Sequence, residues 1–158
     1  MTLCYLGLGS NLNSPARQLR RAINALRRLP DSCITQEASF YWSEAWGRKA
    51  QPKFCNTVVA LQTRLSPQRL LDCCHQIEQQ QQRIRKIKWG ARTLDIDILL
   101  YGSQKIDTLT LKVPHPRIIE RDFVLLPLLE IAPSLTIDGL NLSSLVLNKP
   151  CSTHKVRV

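Results

Sequence analysis

Apolar and polar positions follow two periods along this chain, one typical of strands and the other typical of helices. Continuous or alternating apolar runs predict strands over 2–8, 33–42, 54–64 and 94–98. Apolar residues three or four positions apart predict three helices, which begin at Ser14-Pro15, Ser66-Pro67 and Arg121. The order strand, helix, strand, strand, helix, strand predicts an α+β fold, a ferredoxin-like split βαβ antiparallel sheet with helices packed on it and a small C-terminal extension.

Glycine, proline and short polar residues mark the connections between these elements. Ser14 and Ser66 each precede a proline, so both serines are predicted to be helix N-caps. The glycines within 7–11 favour a tight turn that closes the first strand. The remaining connections are predicted to be a hairpin-like return at 104–113, a rigid turn at Pro114-His115-Pro116, a turn at Asp138-Gly139, a short closing element at 142–147 and a loosely ordered tail at 151–158.

Length and composition indicate one globular domain, which we expect to span residues 1–158. Hydrophobic residues make up 44% and charged residues 22% of the chain, which excludes the composition of a disordered protein. The formal net charge of +10 predicts an anionic partner, which could be nucleic acid, a membrane surface or a phosphorylated small molecule. The six cysteines form no Cys-x-x-Cys pair, and the N-terminal apolar run is too short for a signal or membrane segment. We therefore expect reduced thiols and a cytoplasmic location.

Two acidic residues stand two positions apart in the fourth predicted strand, within Leu94-Asp95-Ile96-Asp97-Ile98. Successive strand side chains point to opposite faces, so Asp95 and Asp97 share one face. Mg²⁺ commonly takes one or two protein carboxylates and completes its shell with water and substrate phosphates. A solvated acidic pair on a half-buried strand is the alternative. The acid-free run 79–94 favours a metal-bound polyphosphate, because it contains Arg83, Arg85, Lys86, Lys88 and Arg92.

A long loop over 43–53 separates two predicted strands, and loops of this length inside a compact domain are often functional. Asn56 follows this loop, early in a strand, where asparagine is disfavoured. Trp46 and Phe54 lie near it in sequence, and aromatic faces beside an amide suit a flat heterocycle. Hydrogen bonding of Asn56 to local backbone, and plain core packing of both aromatic rings, are the alternatives.

Six ordered segments of the chain resemble the 6-hydroxymethyl-7,8-dihydropterin pyrophosphokinase (2-amino-4-hydroxy-6-hydroxymethyldihydropteridine diphosphokinase) family of folate biosynthesis. The segments are Gly9-Ser10-Asn11, Phe54 with Asn56, Arg83 with Arg85, Arg92-Thr93-Leu94-Asp95-Ile96-Asp97, Val113-Pro114-His115-Pro116 and Arg121-Asp122-Phe123-Val124-Leu125-Leu126-Pro127-Leu128. The resemblance covers essentially the whole chain. It implies transfer of the terminal diphosphate of ATP to the hydroxymethyl oxygen of the pterin, with release of AMP.

The resemblance also implies roles for individual residues. Asp95 and Asp97 are expected to bind two Mg²⁺ ions that bridge the triphosphate, and with Arg83 and Arg92 they make up the predicted catalytic group. The residues expected to contact the co-substrate ATP are Glu78, Arg85, Trp89, Arg92, Ile98, Lys112, His115 and Arg121. The residues expected to contact the pterin are Ser43, Trp46, Phe54, Asn56 and Phe123, with the two phenylalanines stacked on its faces. The loop 43–51 is expected to be a mobile lid over both substrates.

Four places depart from the family pattern. Ser43-Glu44-Ala45 stands where the family often has threonine or serine followed by prolines, which implies a less rigid lid. Lys112 and His75 stand near the nucleotide in place of a frequent threonine and a frequent glutamine, and Phe54 replaces a frequent tyrosine. None of these positions belongs to the predicted metal site, so we expect altered affinity more than altered chemistry.

Two other classes of function match parts of the sequence. A basic ferredoxin-like domain that binds RNA should carry a Lys/Arg-Gly-Phe/Tyr motif with aromatic residues on its central strands, and this chain has none. An ordinary ATP phosphotransferase would release ADP rather than AMP, and the Walker and dinucleotide-binding glycine motifs are absent from the sequence. We therefore expect ATP and 6-hydroxymethyl-7,8-dihydropterin as partners, no nucleic acid, no membrane and a monomeric protein.

Overall fold

The computed structural model describes residues 1–43, 53–81, 93–147 and 154–156. Within these ranges the elements are, in chain order, β1 (Thr2–Ser10), α1 (Pro15–Arg27), β2 (Ser32–Glu37), β3 (Phe40–Ser43), β4 (Phe54–Thr63), α2 (Pro67–Gln81), β5 (Asp95–Tyr101), β6 (Ile106–Asp107), β7 (Lys112–Val113), α3 (Asp122–Ile131), β8 (Thr136–Ile137), β9 (Leu140–Asn141), α4 (Leu142–Leu147) and β10 (His154–Val156). No helix in these ranges is long and apolar enough to cross a membrane.

An antiparallel sheet lies at the centre of the fold. β1 pairs with β4 on one side and with β5 on the other, and β2 and β3 both pair with the far edge of β4. α1 and α2 connect the strands as the two crossovers of a split βαβ unit. This order confirms the prediction of a ferredoxin-like α+β fold. The small β6–β7 and β8–β9 pairs confirm the predicted return at 104–113 and the turn at Asp138-Gly139.

The sheet has an apolar core on each of its two faces, because strand side chains alternate in direction. On one face Leu6, Val59 and Ile98 belong to a cluster with buried residues of α1 and α2. On the other face Val58, Ala60 and Leu99 belong to a cluster with Leu125 and Leu128 of α3. Since Ile96 and Ile98 face α1 and α2, Asp95 and Asp97 point towards the α3 side.

Helix capping differs between the two predicted serine caps. Ser66 Oγ accepts a hydrogen bond of 3.3 Å from the backbone N–H of Arg69, which confirms the predicted cap. Ser14 occupies the N-cap position of α1, as predicted, but its side chain makes no capping hydrogen bond. The reason is the left-handed backbone of Ser14, with φ of 62°, because a capping hydroxyl reaches the first turn from extended backbone.

The first strand is longer than predicted. β1 continues through Gly9 and Ser10, which pair with Asn56 and Cys55 of β4, in place of the tight turn expected at 7–11. The glycines therefore leave space for side chains of the neighbouring strands, Leu99 beside Gly7 and Asn56 beside Gly9, rather than reverse the chain.

The single strand predicted over 33–42 is two strands, β2 and β3, with a break at Ala38 and Ser39. Glu37 pairs with Val59, and Tyr41 pairs with Asn56. The chain advances four residues from Glu37 to Tyr41 but only three between their partners in β4, so one residue is extra at the break. The hydroxyl of Thr57 donates to the carbonyls of Ala38 and Ser39, both at 3.1 Å, and so binds backbone groups at the break.

The described part of the C-terminal tail is also a strand. His154–Val156 form β10, which pairs antiparallel with β3. The loose tail expected over 151–158 is therefore not found at these three positions. Backbone pairing with the neighbouring strand supplies the order that the tail sequence alone does not indicate.

Candidate active site

A cavity of about 500 Å³ opens on the α3 side of the sheet. We call it the sheet cavity. β1, β4, β5 and Ser43 of β3 form its floor, and the turn at 115–117 and the first turn of α3 form its rim and the wall opposite the floor. Its lining residues are Gly7, Leu8, Gly9, Ser43, Phe54, Asn56, Thr57, Asp95, Asp97, Leu99, His115, Pro116, Arg117, Arg121, Phe123 and Val124.

A second cavity of about 440 Å³ lies between α2, β5 and the β6–β7 segment. We call it the edge cavity. Its lining residues are Leu71, His75, Glu78, Asp95, Ile96, Asp97, Ile98, Leu109, Thr110, Leu111, Lys112, His115 and Pro116. Asp95, Asp97, His115 and Pro116 line both cavities, so the two spaces meet at the pair of carboxylates.

Asp95 and Asp97 are placed by the register of the sheet. Asp95 pairs with Gly9 and Asp97 with Gly7, and both acidic side chains are half-buried. Glycine partners add no side chains beside the carboxylates, which leaves room for a ligand between β1 and α3. The pair is therefore directed into a cavity rather than to open solvent.

The donor set at the two aspartates fits Mg²⁺. Within the described ranges no group of three or more His, Cys, Asp and Glu side chains could hold a metal by itself. Mg²⁺ usually keeps several waters and takes one or two carboxylates together with substrate phosphates, so a pair of aspartates beside a ligand cavity suits this ion. A structural zinc site would need a complete set of protein ligands instead.

His115 adds an imidazole at the point where the cavities meet. Burial lowers its pKa from 6.5; the charge of Asp97 opposes this shift, and those of Arg121 and Arg117 add to it. The backbone N–H of Arg117 donates to His115 Nδ1 at 3.3 Å. A neutral ring that accepts at Nδ1 carries its proton on Nε2, so His115 can donate to an anionic ligand.

Arg121 brings a permanent positive charge to the rim of the sheet cavity. Burial lowers its pKa while Asp97 and Asp95 raise it, and the group stays protonated because a guanidinium titrates far above neutral pH. Its guanidinium carbon lies 5.5 Å from the centre of the Phe123 ring. This cation–π contact orients the arginine beside the aromatic ring at the start of α3.

Asn56 is held in one orientation on the floor of the sheet cavity. Its Nδ2 donates to Ser43 Oγ at 2.9 Å, and both side chains are buried. A Cβ added to Gly9 would lie 2.8 Å from Asn56 Oδ1, closer than real contacts allow. The amide thus donates to a side chain rather than to local backbone, and Gly9 leaves the space that Asn56 occupies.

The structure brings most of the described candidate residues into two groups. Ser43, Phe54, Asn56 and Phe123, expected to contact the pterin, all line the sheet cavity. Glu78, Ile98, Lys112 and His115, expected to contact ATP, all line the edge cavity together with His75. Arg121 lines the sheet cavity instead. The candidates that lie outside the described residues are Trp46, Arg83, Arg85, Trp89, Arg92 and positions 44–51 of the expected lid.

Several lining residues were not among the sequence candidates. They include Gly7, Leu8, Thr57, Leu99 and Arg117 in the sheet cavity, and Leu71, Leu109, Thr110 and Leu111 in the edge cavity. Gly7 and Gly9 alternate in an apolar strand, which is a signal of close approach that could have found them. Leu99 and Leu71 carry no such signal, because apolar residues in a strand or a helical stripe are ordinary core.

The fold and the site define a class of protein, a ferredoxin-like domain that brings two ligand cavities together at a pair of aspartates. The sequence profile described as 7,8-dihydro-6-hydroxymethylpterin-pyrophosphokinase (HPPK) matches residues 5–133. The chain belongs to this family.

Curated relatives match over nearly the full chain. The 2-amino-4-hydroxy-6-hydroxymethyldihydropteridine pyrophosphokinase of Pseudomonas aeruginosa is 45% identical over 147 residues, which cover 92% of this chain and 91% of the relative. The Haemophilus influenzae protein of the same name is 41% identical over 156 residues, which cover 99% of this chain and 97% of the relative.

A solved structure shares the fold at much lower identity. Plasmodium falciparum HPPK-DHPS superposes with a TM-score of 0.72 at 14% identity. The match covers 92% of this chain and 43% of that longer one. At this identity the likeness shows the shared fold alone.

Proposed function

We propose that this protein transfers the terminal diphosphate of ATP to the hydroxymethyl group of 6-hydroxymethyl-7,8-dihydropterin, giving AMP and the pterin diphosphate, as a step of folate biosynthesis. The observation that carries the proposal is the meeting of the sheet cavity and the edge cavity at Asp95 and Asp97. A transfer between two substrates needs two binding spaces that open onto one reaction centre. Family membership supports the choice of substrates.

The sheet cavity suits the pterin. Phe54 belongs to the floor, in β4, and Phe123 to the opposite wall, in α3, so a flat ring between them would stack on both. Asn56, oriented by Ser43, would pair with the polar edge of the ring. The hydroxymethyl group would then extend towards the carboxylates.

The edge cavity suits the nucleotide. Glu78 and Ile98 line it from α2 and β5, and Lys112 and His115 supply a positive charge and a hydrogen-bond donor for phosphate oxygens. Arg83, Arg85, Trp89 and Arg92 are proposed as further contacts from 82–92, which lies outside the described residues.

In the proposed reaction the hydroxymethyl oxygen forms a bond to the β-phosphorus of ATP. The bond between that phosphorus and the oxygen that bridges to the α-phosphate breaks, its electron pair leaves with AMP, and the hydroxyl proton is released. Negative charge moves to the leaving oxygens, where positive groups stabilise it. We propose this role for Arg121 and the Nε2–H of His115, which line the sheet cavity beside the carboxylates, and for Arg83 and Arg92.

Mg²⁺ is proposed as the required cation, held by Asp95 and Asp97, with two ions expected. When bound, it would neutralise phosphate charge and align the triphosphate for attack. The chain's own contribution is to direct both carboxylates into the place where the cavities meet.

A product assay tests the function. The protein is incubated with ATP, Mg²⁺ and the reduced pterin, and nucleotides and pterins are separated by chromatography. We expect AMP and pterin diphosphate in equal amounts, and no AMP when the pterin is left out. Formation of ADP, or nucleotide turnover that does not depend on the pterin, would overturn the proposal.

We also propose that the protein acts in the cytoplasm as a monomer and that 1–158 forms a single domain. The cysteines of the described ranges, Cys4, Cys33, Cys55, Cys73 and Cys74, are free thiols, as is usual in reducing compartments. Burial raises the pKa of Cys4 and of Cys55 to about 12, so these two thiols stay protonated and unreactive.

A further inference from the structure

Glu130, near the end of α3, accepts hydrogen bonds from Ser39, directly before β3, and from Tyr41 within β3. Tyr41 Oη donates to Glu130 Oε1 at 2.6 Å. The backbone N–H and the hydroxyl of Ser39 donate to Glu130 Oε2 at 2.8 and 3.1 Å. Three donors on one carboxylate make a specific bridge between helix and sheet, which we call the Glu130 bridge.

The sheet end of the bridge leads directly to the floor of the sheet cavity. Tyr41 is buried and pairs with Asn56 in the strand register. Ser43 lies two residues further along β3, on the same face, and accepts the hydrogen bond from Asn56. A shift of β3 at Tyr41 would therefore move Ser43 and, through the hydrogen bond between them, the side chain of Asn56.

The helix end of the bridge leads to the opposite wall of the cavity. Glu130 follows Phe123 by seven residues, which is two helical turns, so both side chains lie on one face of α3. Pro127 stands between them and has no N–H to bond the carbonyl of Phe123. Packing of Leu125 and Leu128 holds the middle of the helix, and the bridge holds its end.

We propose that Glu130, through Tyr41 and Ser39, is a positioning residue that sets the separation of the Phe123 wall from the Asn56 floor and thereby the affinity for the pterin. This inference rests on the proposed function of the sheet cavity. The edge cavity contains neither α3 nor β3 residues, so the affinity for ATP does not depend on the bridge.

The test uses Glu130→Gln, Tyr41→Phe and the double variant of the full chain. Glutamine has one acceptor oxygen where Glu130 has two, and phenylalanine removes the donor hydroxyl. We expect the KM for the pterin to rise about tenfold in each single variant, with the KM for ATP within about twofold of wild type. Because both residues act through one bridge, the rise in the pterin KM of the double variant should be much smaller than the product of the rises in the two single variants.

The control is Glu37→Gln, since Glu37 is a glutamate of β2 in an exposed ion pair with Arg27 and lines neither cavity. Direct binding of the oxidised pterin is measured by its fluorescence in the presence of Mg²⁺ and α,β-methylene ATP, whose α–β bridge cannot be broken. Thermal unfolding of each variant separates a loss of affinity from a loss of folded protein.

The outcomes separate the two proposals. Wild-type protein that binds no pterin would overturn the proposed function itself. If the wild type binds the pterin and Glu130→Gln and Tyr41→Phe bind it with the same affinity, the positioning role alone is overturned. Equal losses for pterin and ATP would also overturn it, because they would indicate a general structural effect.

Discussion

At the scale of single residues, the sheet cavity depends on side chains that hold one another in place. Asn56 donates to Ser43, and Gly9 leaves room for the Asn56 carbonyl oxygen. Arg121 lies over the Phe123 ring, and the backbone of Arg117 fixes the ring nitrogens of His115. Each of these contacts orients a polar group towards the cavity, so small substitutions beside them should change binding.

Gly9→Ala should weaken pterin binding. The new Cβ would stand 2.8 Å from Asn56 Oδ1, so the amide would have to move away from Ser43. We expect a rise of about tenfold in the KM for the pterin, as for loss of one buried hydrogen bond. Gly139→Ala is the control, because Gly139 lines neither cavity and its added Cβ would meet nothing within 4 Å. Equal effects of both substitutions would contradict the explanation.

His115→Gln should make stability less dependent on pH. Burial and the two arginines lower the pKa of His115 from 6.5, so the unfolded chain binds this proton more readily than the folded protein. The stability of the wild type is therefore full above its ordinary pKa of 6.5 and decreases as the pH falls through that value towards the folded-state pKa. Urea unfolding at about pH 7.5 and 5.5 measures the decrease. An equal decrease in the free energy of unfolding between these two pH values in wild type and His115→Gln would contradict the prediction.

At the scale of secondary-structure elements, the strands place functional groups through register rather than through length. The break between β2 and β3 adds one residue opposite β4, and this places Tyr41 opposite Asn56. β5 contains an irregularity opposite Tyr5 and Leu6, so that Leu99 and Leu100 both face the α3 core. These irregularities depend on pairing between distant segments, and neither is visible in the local sequence.

Gly139→Ala should destabilise the β8–β9 turn without changing activity. Gly139 has a φ of 77°, which an alanine adopts only with strain, and an added Cβ would meet nothing within 4 Å. We expect a loss of about 1 kcal/mol in the free energy of unfolding, from backbone strain alone. Urea unfolding measures the loss, and kcat/KM for both substrates should stay unchanged.

Asp138→Asn is the control for this turn. Asp138 also has a positive φ, of 50°, and asparagine tolerates that backbone as well as aspartate does. We expect a change below about 0.5 kcal/mol. A loss as large as that of Gly139→Ala would point to the turn side chains instead of the glycine backbone.

At the scale of the whole molecule, the two cavities draw on different layers of the fold. The sheet cavity uses the α3 side of the sheet, while the edge cavity lies beside α2 and the outer edge of β5. Asp95 and Asp97 line both cavities because β5, the strand that contains them, borders both. Loss of one carboxylate should therefore affect catalysis and the binding of metal-bound nucleotide together.

Asp97→Asn should fold normally and lose nearly all turnover. The amide keeps the size of the side chain but removes a negative ligand for Mg²⁺, so we expect kcat to fall at least about a hundredfold. The shift in thermal unfolding caused by Mg²⁺ and α,β-methylene ATP should also shrink. Asp107→Asn, at an exposed acid of β6, is the matched control. A normal rate in Asp97→Asn would instead support the alternative that the two aspartates are solvated side chains on a strand face.

The sequence by itself determined the elements and much of their order. Alternation predicted that Asp95 and Asp97 share a face, helical spacing predicted the buried stripes of α1 and α2, and Asp138-Gly139 predicted a turn, because these patterns depend on local geometry. The sequence did not indicate the left-handed backbone of Ser14, the extension of β1 through Gly9 or the strand at His154–Val156, since backbone conformation and pairing at those positions depend on neighbours elsewhere.

Only the tertiary structure decided how the candidates group. Sequence separation does not reveal that Asn56 lies beside Ser43 and Gly9, that Phe123 faces the same cavity as Phe54, or that Glu130 bonds Tyr41 across 89 positions. These contacts require the sheet register and the packing of α3, which arise from long-range burial of apolar side chains. The roles proposed for Asp95, Asp97 and Asn56 follow from residue type and local pattern, while the meeting of two cavities at Asp95 and Asp97 follows from the fold.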